Sequence, residues 1–147
     1  MTIPKFARGK FAFKNKEKYV GLKTPTYRSG WEHAFMRLCD EHPNVYKWAS
    51  ESIRIPYRHP LTGKYTIYVP DFFIVYNDKN GRKHAELVEV KPKAQMTLEN
   101  AGRSHAKRKQ VVINTAKWEA ANAYARQHKI RFRVVSEEQL FHQGTRK

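Results

Sequence analysis

The order of apolar and polar residues predicts alternating helices and strands along most of the chain. A helix is expected at 30–41, where apolar residues recur at helical spacing after the capping residue Ser29. Two strands are expected at 51–58 and 64–76, joined by a hairpin loop at 59–63 that contains both proline and glycine. The first half of the chain therefore predicts one helix followed by a hairpin.

The second half of the chain predicts further elements of both kinds. In order, these are a strand at 84–91, a polar loop with at most one helical turn at 93–110, a short apolar segment at 111–113, a helix at 115–128, a strand at 130–135 and a short helix capped by Ser136. A hairpin-rich sheet with helices on both sides is an α/β sandwich. We therefore expect a single α/β domain with a mixed central sheet.

Three segments differ in composition. Residues 1–28 are predicted to form a basic N-terminal arm, because they hold eight Lys or Arg against one acid, with aromatic residues between them. Such a segment could lie across phosphates, pack partly onto the domain, or remain a free basic tail. Residues 29–141 are the expected domain, and residues 142–147 are a short basic tail.

The charge of the chain favours nucleic acid as its partner. Lys and Arg outnumber Asp and Glu by 29 to 13, which gives a formal net charge of +16. The chain has no apolar run of about 18 residues that would predict membrane contact. The N-terminus also has no apolar signal core, so an intracellular setting is expected. Cys39 is the single cysteine, which excludes an intramolecular disulfide and a zinc site built on several thiolates. Any metal should be bound by oxygen, which favours magnesium or manganese.

Two predicted strands end on acids and a lysine. Asp71 follows Pro70, and Glu89 is two residues before Lys91. Side chains alternate along a strand, so Glu89 and Lys91 point the same way while Val90 turns into the core. A proline inside a strand pattern marks a bulge or an edge, where strands bend and aim side chains. If the strands are neighbours, the two acids and the lysine converge on one patch.

Such a patch has the groups that hydrolysis of a phosphodiester needs. Asp71 and Glu89 would bind a divalent ion, with the backbone carbonyl of Val90 as a further ligand. Lys91 would orient the attacking water or stabilise the charge that grows on the phosphate. The alternative is that Glu89 and Lys91 form an exposed pair at a strand end, which contributes little.

Other residues are candidates for the same site or for contact with DNA beside it. Glu32 could reach it from the first helix, or could only complete a capping box with Ser29. Lys117 could face the cleft, although packing of its neighbours into the core is the more ordinary interpretation. Contacts with DNA are predicted for five polar or basic residues, each of which could equally be solvated: Lys93, Gln95, Lys107, Arg108 and Lys109.

Four segments resemble a known group of nucleases. They are Tyr27–Glu32, Trp48–Glu51, Val69–Phe73 and Glu89–Gln95. The pattern Pro-Asp followed by Glu-x-Lys is similar to that of the PD-(D/E)xK, or restriction-endonuclease-like, superfamily, whose core is αβββαβ. Together the segments resemble the head-completion nucleases of T-even-like tailed bacteriophages. More distantly, the helix glutamate and the Asp…Glu-x-Lys pattern are similar to those of transposon-encoded nucleases.

The resemblance implies a magnesium-dependent DNA endonuclease, with manganese as a substitute ion, whose site consists of Glu32, Asp71, Glu89 and Lys91. It implies work on DNA during packaging and head–tail joining, with phage head or neck proteins as partners. The host cytoplasm during assembly, or the virion, is the expected location. Two alternatives are a non-catalytic DNA-binding protein of the phage neck and an endonuclease of transposition.

Overall fold

The structure is a computed structural model, and it describes residues 8–136. The helix predicted after Ser136 and the basic tail at 142–147 lie outside these residues, as do the first seven residues of the predicted arm. The division of the chain at residues 28 and 141 stays a prediction.

The described residues form eight strands and three α-helices. In chain order they are β1 (Gly9–Lys10), β2 (Thr26–Tyr27), α1 (Gly30–Glu41), β3 (Val45–Ser50), β4 (Ile55–Arg58), β5 (Tyr65–Tyr68), β6 (Phe72–Asn77), β7 (Lys83–Val90), α2 (Leu98–Ala101), α3 (His105–Gln127) and β8 (Arg131–Val135). Short 3-10 turns occur at Lys16–Lys18 and Lys93–Gln95.

The central sheet has four strands in the order β3-β6-β7-β8. The strand β6 is antiparallel to both β3 and β7, and β8 pairs in parallel with β7 after the crossover through α3. The strands β4 and β5 form a separate two-stranded sheet. The prediction of an α/β fold with a mixed sheet is confirmed, and the order α1, three sheet strands, α3, β8 is the expected αβββαβ core.

Each face of the sheet has its own hydrophobic core. On one face α1 packs through Phe35 and Met36 against Trp48, Phe72 and the valines of β7. On the other face α3 packs through Ala121 against Leu87 and the inner side of the β4–β5 pair. Because neighbouring residues of β7 point to opposite faces, Glu89 lies on the face that α3 covers.

The described part of the basic arm, residues 8–28, packs onto the domain. Phe11 is 5% exposed and belongs to the core on the α1 face, where its ring centroid lies 5.8 Å from that of Trp48. Its amide donates a 2.9 Å hydrogen bond to the Pro25 carbonyl, and β1 pairs with β2. Of the three alternatives for the arm, residues 8–28 show the second, packing onto the domain.

We expect Phe11→Leu to destabilise the protein measurably, although the residue lies outside the αβββαβ core. The substitution leaves a gap beside Trp48, and we expect it to lower the free energy of unfolding by about 1–2 kcal/mol. Leu22 is fully exposed, so Leu22→Ala should change stability by no more than about 0.5 kcal/mol. Urea unfolding of the two variants measures the difference. Equal stability would mean that residues 8–28 do not contribute to the core.

Two features of the sheet differ from the sequence prediction. The strand β3 was not predicted, because a register shift between Val45 and Lys47 breaks the alternation. Trp48 and Ala49 are also both buried, since they point to opposite faces of a sheet that is covered on each side. The single strand predicted at 64–76 is divided into β5 and β6, since Pro70 interrupts the pattern between them.

The helix α3 is much longer than predicted. It spans 23 residues, and it includes residues 105–110, the last six of the segment 93–110 that was expected to be loop. Ser104 caps it, with its Oγ accepting from the Lys107 amide at 3.3 Å. The first turns carry good helix formers that are polar on all sides, so no apolar periodicity marked them. Within the described range, none of the helices is both long enough and apolar enough to cross a bilayer.

Candidate active site

The predicted acids Asp71 and Glu89 meet at one end of the central sheet. Asp71 directly precedes β6, and Glu89 is near the end of β7, its antiparallel neighbour. The Asp71 amide donates to Glu89 Oε1 at 3.2 Å, and the Val90 amide donates to Asp71 Oδ2 at 2.8 Å. Each carboxylate is thus held by the backbone of the other strand, which gives the pair a fixed geometry.

Tyr68 completes the hydrogen bonding of Glu89. Its hydroxyl donates to Glu89 Oε1 at 2.8 Å, and the residue is 4% exposed at the end of β5. Burial, together with the charge of Glu89, raises the pKa of Tyr68, so the hydroxyl stays a proton donor. No sequence pattern had singled out this residue. Its position three residues before Asp71, beside the proline that bends the chain, was the available signal.

Ionisation of both carboxyl groups is unfavourable in this environment. Burial, and then the charge of Glu89, raises the pKa of Asp71 well above its usual value. Burial also raises the pKa of Glu89, against the opposing influence of Lys91. Two buried like charges in contact repel each other, and a cation between them relieves that repulsion.

Two lysines supply positive charge beside the acids. The ammonium of Lys91 lies 3.6 Å from Glu89 Oε2. Lys117, on α3, has its ammonium 5.6 Å from the centroid of the Tyr68 ring. Burial, followed by repulsion from Lys91, lowers the pKa of Lys117. Of the two alternatives for Lys117, the structure shows that its ammonium faces the site instead of belonging to the core.

Glu32 caps α1 and also lies beside the candidate site. Its amide donates to Ser29 Oγ at 3.1 Å, and its Oε1 accepts from the Arg28 amide at 3.1 Å, so it stabilises the start of α1 as a capping residue does. It also lines a pocket of about 240 Å³ together with Val90 and Lys91. Burial raises the pKa of Glu32. The side chain therefore caps the helix at the rim of the candidate site.

The predicted metal ligands are only partly assembled by the protein alone. Within residues 8–136, no three His, Cys, Asp or Glu side chains lie close enough together to form a metal site by themselves. Asp71 and Glu89 are in contact, whereas Glu32 stands at the pocket rim. A cation here would have two carboxylate ligands and would complete its shell with backbone or water oxygen.

The residues predicted to contact DNA are distributed over two segments. Gln95 lines the same pocket as Glu32, and its carbonyl accepts from Asn114 Nδ2 at 3.1 Å, which ties the segment after β7 to α3. Lys93 is exposed in the adjoining 3-10 turn. Three exposed side chains lie on the first turns of α3: Lys107, Arg108 and Lys109.

The chain is similar to a known protein family and to a known phage protein. The family described as "TnsA-like endonuclease N terminal" matches residues 42–137, which include Asp71, Glu89 and Lys91. The head completion nuclease of Enterobacteria phage T4 is 34% identical over 142 residues, which covers 90% of this chain and 92% of that protein. Both matches agree with the fold and span the paired carboxylates. The chain therefore belongs to the TnsA-like endonuclease family and is a relative of the phage head completion nuclease.

Proposed function

We propose that the protein is a DNA endonuclease of phage head completion that depends on a divalent metal ion, with magnesium as the natural ion and manganese as a substitute. The observation that carries the proposal is the contact between Asp71 and Glu89, with the ammonium of Lys91 beside it. This combination of buried acids and a cation at a sheet end suits hydrolysis of a phosphodiester.

The chemistry of the site fits a hard divalent cation. Asp71 and Glu89 would hold it, with the Val90 carbonyl and Glu32 as further oxygen ligands. Burial raises the pKa of both Asp71 and Glu89, so their ionised forms are destabilised, and a bound cation would favour those ionised forms. When bound, such an ion lowers the pKa of a water molecule and neutralises charge on the phosphate.

The protein's own side chains contribute orientation and charge. The Tyr68 hydroxyl donates a hydrogen bond to Glu89 Oε1, which leaves Oε2 as the carboxylate oxygen that could bind a cation. Lys91 is close enough to Glu89 to orient a water or stabilise the charge that develops on the scissile phosphate. Lys117 adds a second cation on the α3 side of the site, where it would attract the phosphate before the reaction.

A role in head completion is supported by the extent of the match to the phage T4 protein. The similarity covers nine-tenths of both chains, and thus includes residues outside the endonuclease core. We propose that the protein acts in the host cytoplasm during phage assembly, or on the virion, and that phage head or neck proteins direct it to DNA ends or junctions.

An endonuclease of transposition is the second candidate, because the matching family carries the TnsA name. A nuclease of that kind would need a partner recombinase to select its site. The two candidates differ in a measurable way: activity that requires only DNA and metal favours head completion, whereas activity that appears only with a transposition partner favours the second.

Metal removal is expected to abolish the activity. We expect the purified protein to nick supercoiled plasmid in magnesium or manganese, and to lose all detectable nicking in excess chelator, because no side chain of the site replaces the cation's effect on water. Agarose gel electrophoresis of the plasmid forms measures this directly.

The same experiment includes its own controls. Restoring magnesium to the chelated sample should restore nicking, which excludes irreversible unfolding. Calcium has the same charge but a larger and more flexible coordination shell, so it should support binding with little cleavage. Nicking that persists in chelator would contradict the proposed mechanism.

A further inference from the structure

A two-stranded ribbon projects from the candidate site. The ribbon comprises residues 52–70, which connect β3 to β6 and contain β4 and β5. Its two ends are joined at the site, since the Glu51 amide donates to the Asp71 carbonyl at 2.9 Å. Tyr68, at the end of the ribbon nearest the site, is the residue that donates to Glu89. Hydrogen bonds therefore connect the ribbon directly to the paired carboxylates.

The two faces of the ribbon differ. Ile55, Tyr57 and Tyr68 point inward and are buried in the core on the α3 face. The outer face carries two cross-strand pairs, Pro56 with Ile67 and Arg58 with Tyr65. Tyr65 is 79% exposed and Ile67 is 44% exposed, although both are residues that proteins usually protect from water. An exposed face of this composition indicates a binding surface.

The charge of the ribbon is entirely positive. It contains no Asp or Glu, and it contains three exposed cations, Arg54, Arg58 and Lys64. None of the three forms an ion pair with another described residue. Arg58 instead donates from Nε to the Gly63 carbonyl at 3.0 Å. Free cations interleaved with exposed aromatic and aliphatic side chains complement a polyanion better than they complement a protein surface.

The tip of the ribbon is already ordered. His59 Nδ1 accepts from the amides of Leu61 and Thr62, and the His59 amide donates to the Lys64 carbonyl at 2.8 Å. Gly63 has a φ of +73°, a conformation that other residues rarely adopt. A loop fixed in this way loses little conformational entropy when it binds a partner.

The reach of the ribbon matches the groove of a duplex. Asp71 lies seven positions after Lys64, so the tip is at most about 25 Å from the proposed catalytic acid. That is less than one helical turn of B-DNA, which is about 34–36 Å. The major groove is about 12 Å wide and admits a two-stranded β-ribbon.

We propose that the exposed face and the tip of the ribbon bind the groove of the DNA duplex next to the phosphate being cut. Arg54 and Lys64 contact phosphates on either side of the groove, and Tyr65 and Ile67 face the bases. The inference rests on the proposed nuclease function, and it adds to it the element that binds the duplex.

The test compares two double variants of the full-length protein that remove the same charges. Arg54→Gln/Lys64→Gln alters the ribbon, and Lys79→Gln/Arg82→Gln alters the exposed turn between β6 and β7, at the opposite end of the sheet. Binding to a labelled 30-base-pair duplex and to its single strand is measured by anisotropy in chelator, at several salt concentrations. Circular dichroism confirms that each variant is folded.

We expect the ribbon variant to bind the duplex at least about tenfold more weakly than the control variant, with a salt slope reduced by about 1.8. Its binding to the single strand should match that of the control. Tyr65→Ser/Ile67→Thr should weaken duplex binding without changing the salt slope. Equal losses in the two charge variants, or equal losses on duplex and single strand, would overturn the inference. Unchanged duplex binding would also overturn it and would indicate a protein partner for this face.

The proposed nuclease activity is tested separately by nicking of plasmid at low salt with wild-type protein. If wild type nicks plasmid and the ribbon variant binds duplex normally, only the ribbon inference is refuted. Absence of nicking by wild type, with the ribbon effect on binding intact, refutes only the nuclease.

Discussion

Asp71→Asn is expected to lower the rate of plasmid nicking by on the order of a thousandfold or more, and to leave the protein at least as stable as wild type. The loss of activity follows from the loss of a negative ligand for the cation. The effect on stability follows from the contact with Glu89, because the neutral amide removes the repulsion between two buried carboxylates. Asparagine keeps an oxygen that can accept from the Val90 amide, so the local geometry is preserved.

Binding of the variant to DNA separates catalysis from other roles. With one anion fewer, Asp71→Asn should bind duplex DNA as tightly as wild type or more tightly, as measured in chelator. Asp78, in the turn between β6 and β7, offers a control outside the site: its carboxylate accepts from His84 and from two backbone amides. Asp78→Asn should therefore lose stability and keep full activity. If Asp71→Asn is destabilised while wild type has no activity, the non-catalytic neck protein becomes the better interpretation.

Lys91→Met is expected to reduce nicking roughly a hundredfold or more, and Lys117→Met only about tenfold. The difference follows from position, since Lys91 lies 3.6 Å from Glu89 Oε2, whereas Lys117 lies over the ring of Tyr68. Methionine keeps the length of the side chain and removes the charge. Single-turnover nicking rates at saturating magnesium measure the chemical effect apart from metal affinity.

Lys79→Met serves as the matched control, because Lys79 is exposed in a turn at the far end of the sheet. It should nick at the wild-type rate. If Lys91→Met nicks at the wild-type rate, Glu89 and Lys91 form only an ion pair at the end of a strand, without a catalytic role for the lysine. A larger loss for Lys117→Met than for Lys91→Met would reverse the roles given to the two lysines.

The elements that the sequence predicted well are those with a regular pattern and a clear boundary. The helix α1 was predicted with its bounds and cap, because Ser29 and the apolar spacing agree. The elements that were missed lack one of these signals. A bulge hides the alternation of β3, and the first turns of α3 are polar all round. Local propensity without periodicity was too weak a signal to extend α3 by ten residues.

The candidate site was predictable to the extent that its residues share strands. Glu89 and Lys91 follow from alternation along a single strand, and Asp71 follows from the proline before it. The positions of Tyr68 and Lys117 in the site depend on how separate elements pack against each other, and the sequence alone does not show this packing. Glu32 shows a further difficulty, because the same carboxylate caps a helix and lines the pocket, so neither interpretation excluded the other.

The parallel pairing of β8 with β7 also determines when the enzyme can become active during its synthesis. Glu89 pairs with Val134, and the Lys91 amide donates to the Val135 carbonyl at 3.0 Å. The strand that carries the Glu-x-Lys motif therefore lacks its neighbour until residues near the end of the described chain have left the ribosome. A growing chain carries every proposed catalytic side chain before it can hold them in register, so cleavage of DNA has to wait until β8 has been synthesised.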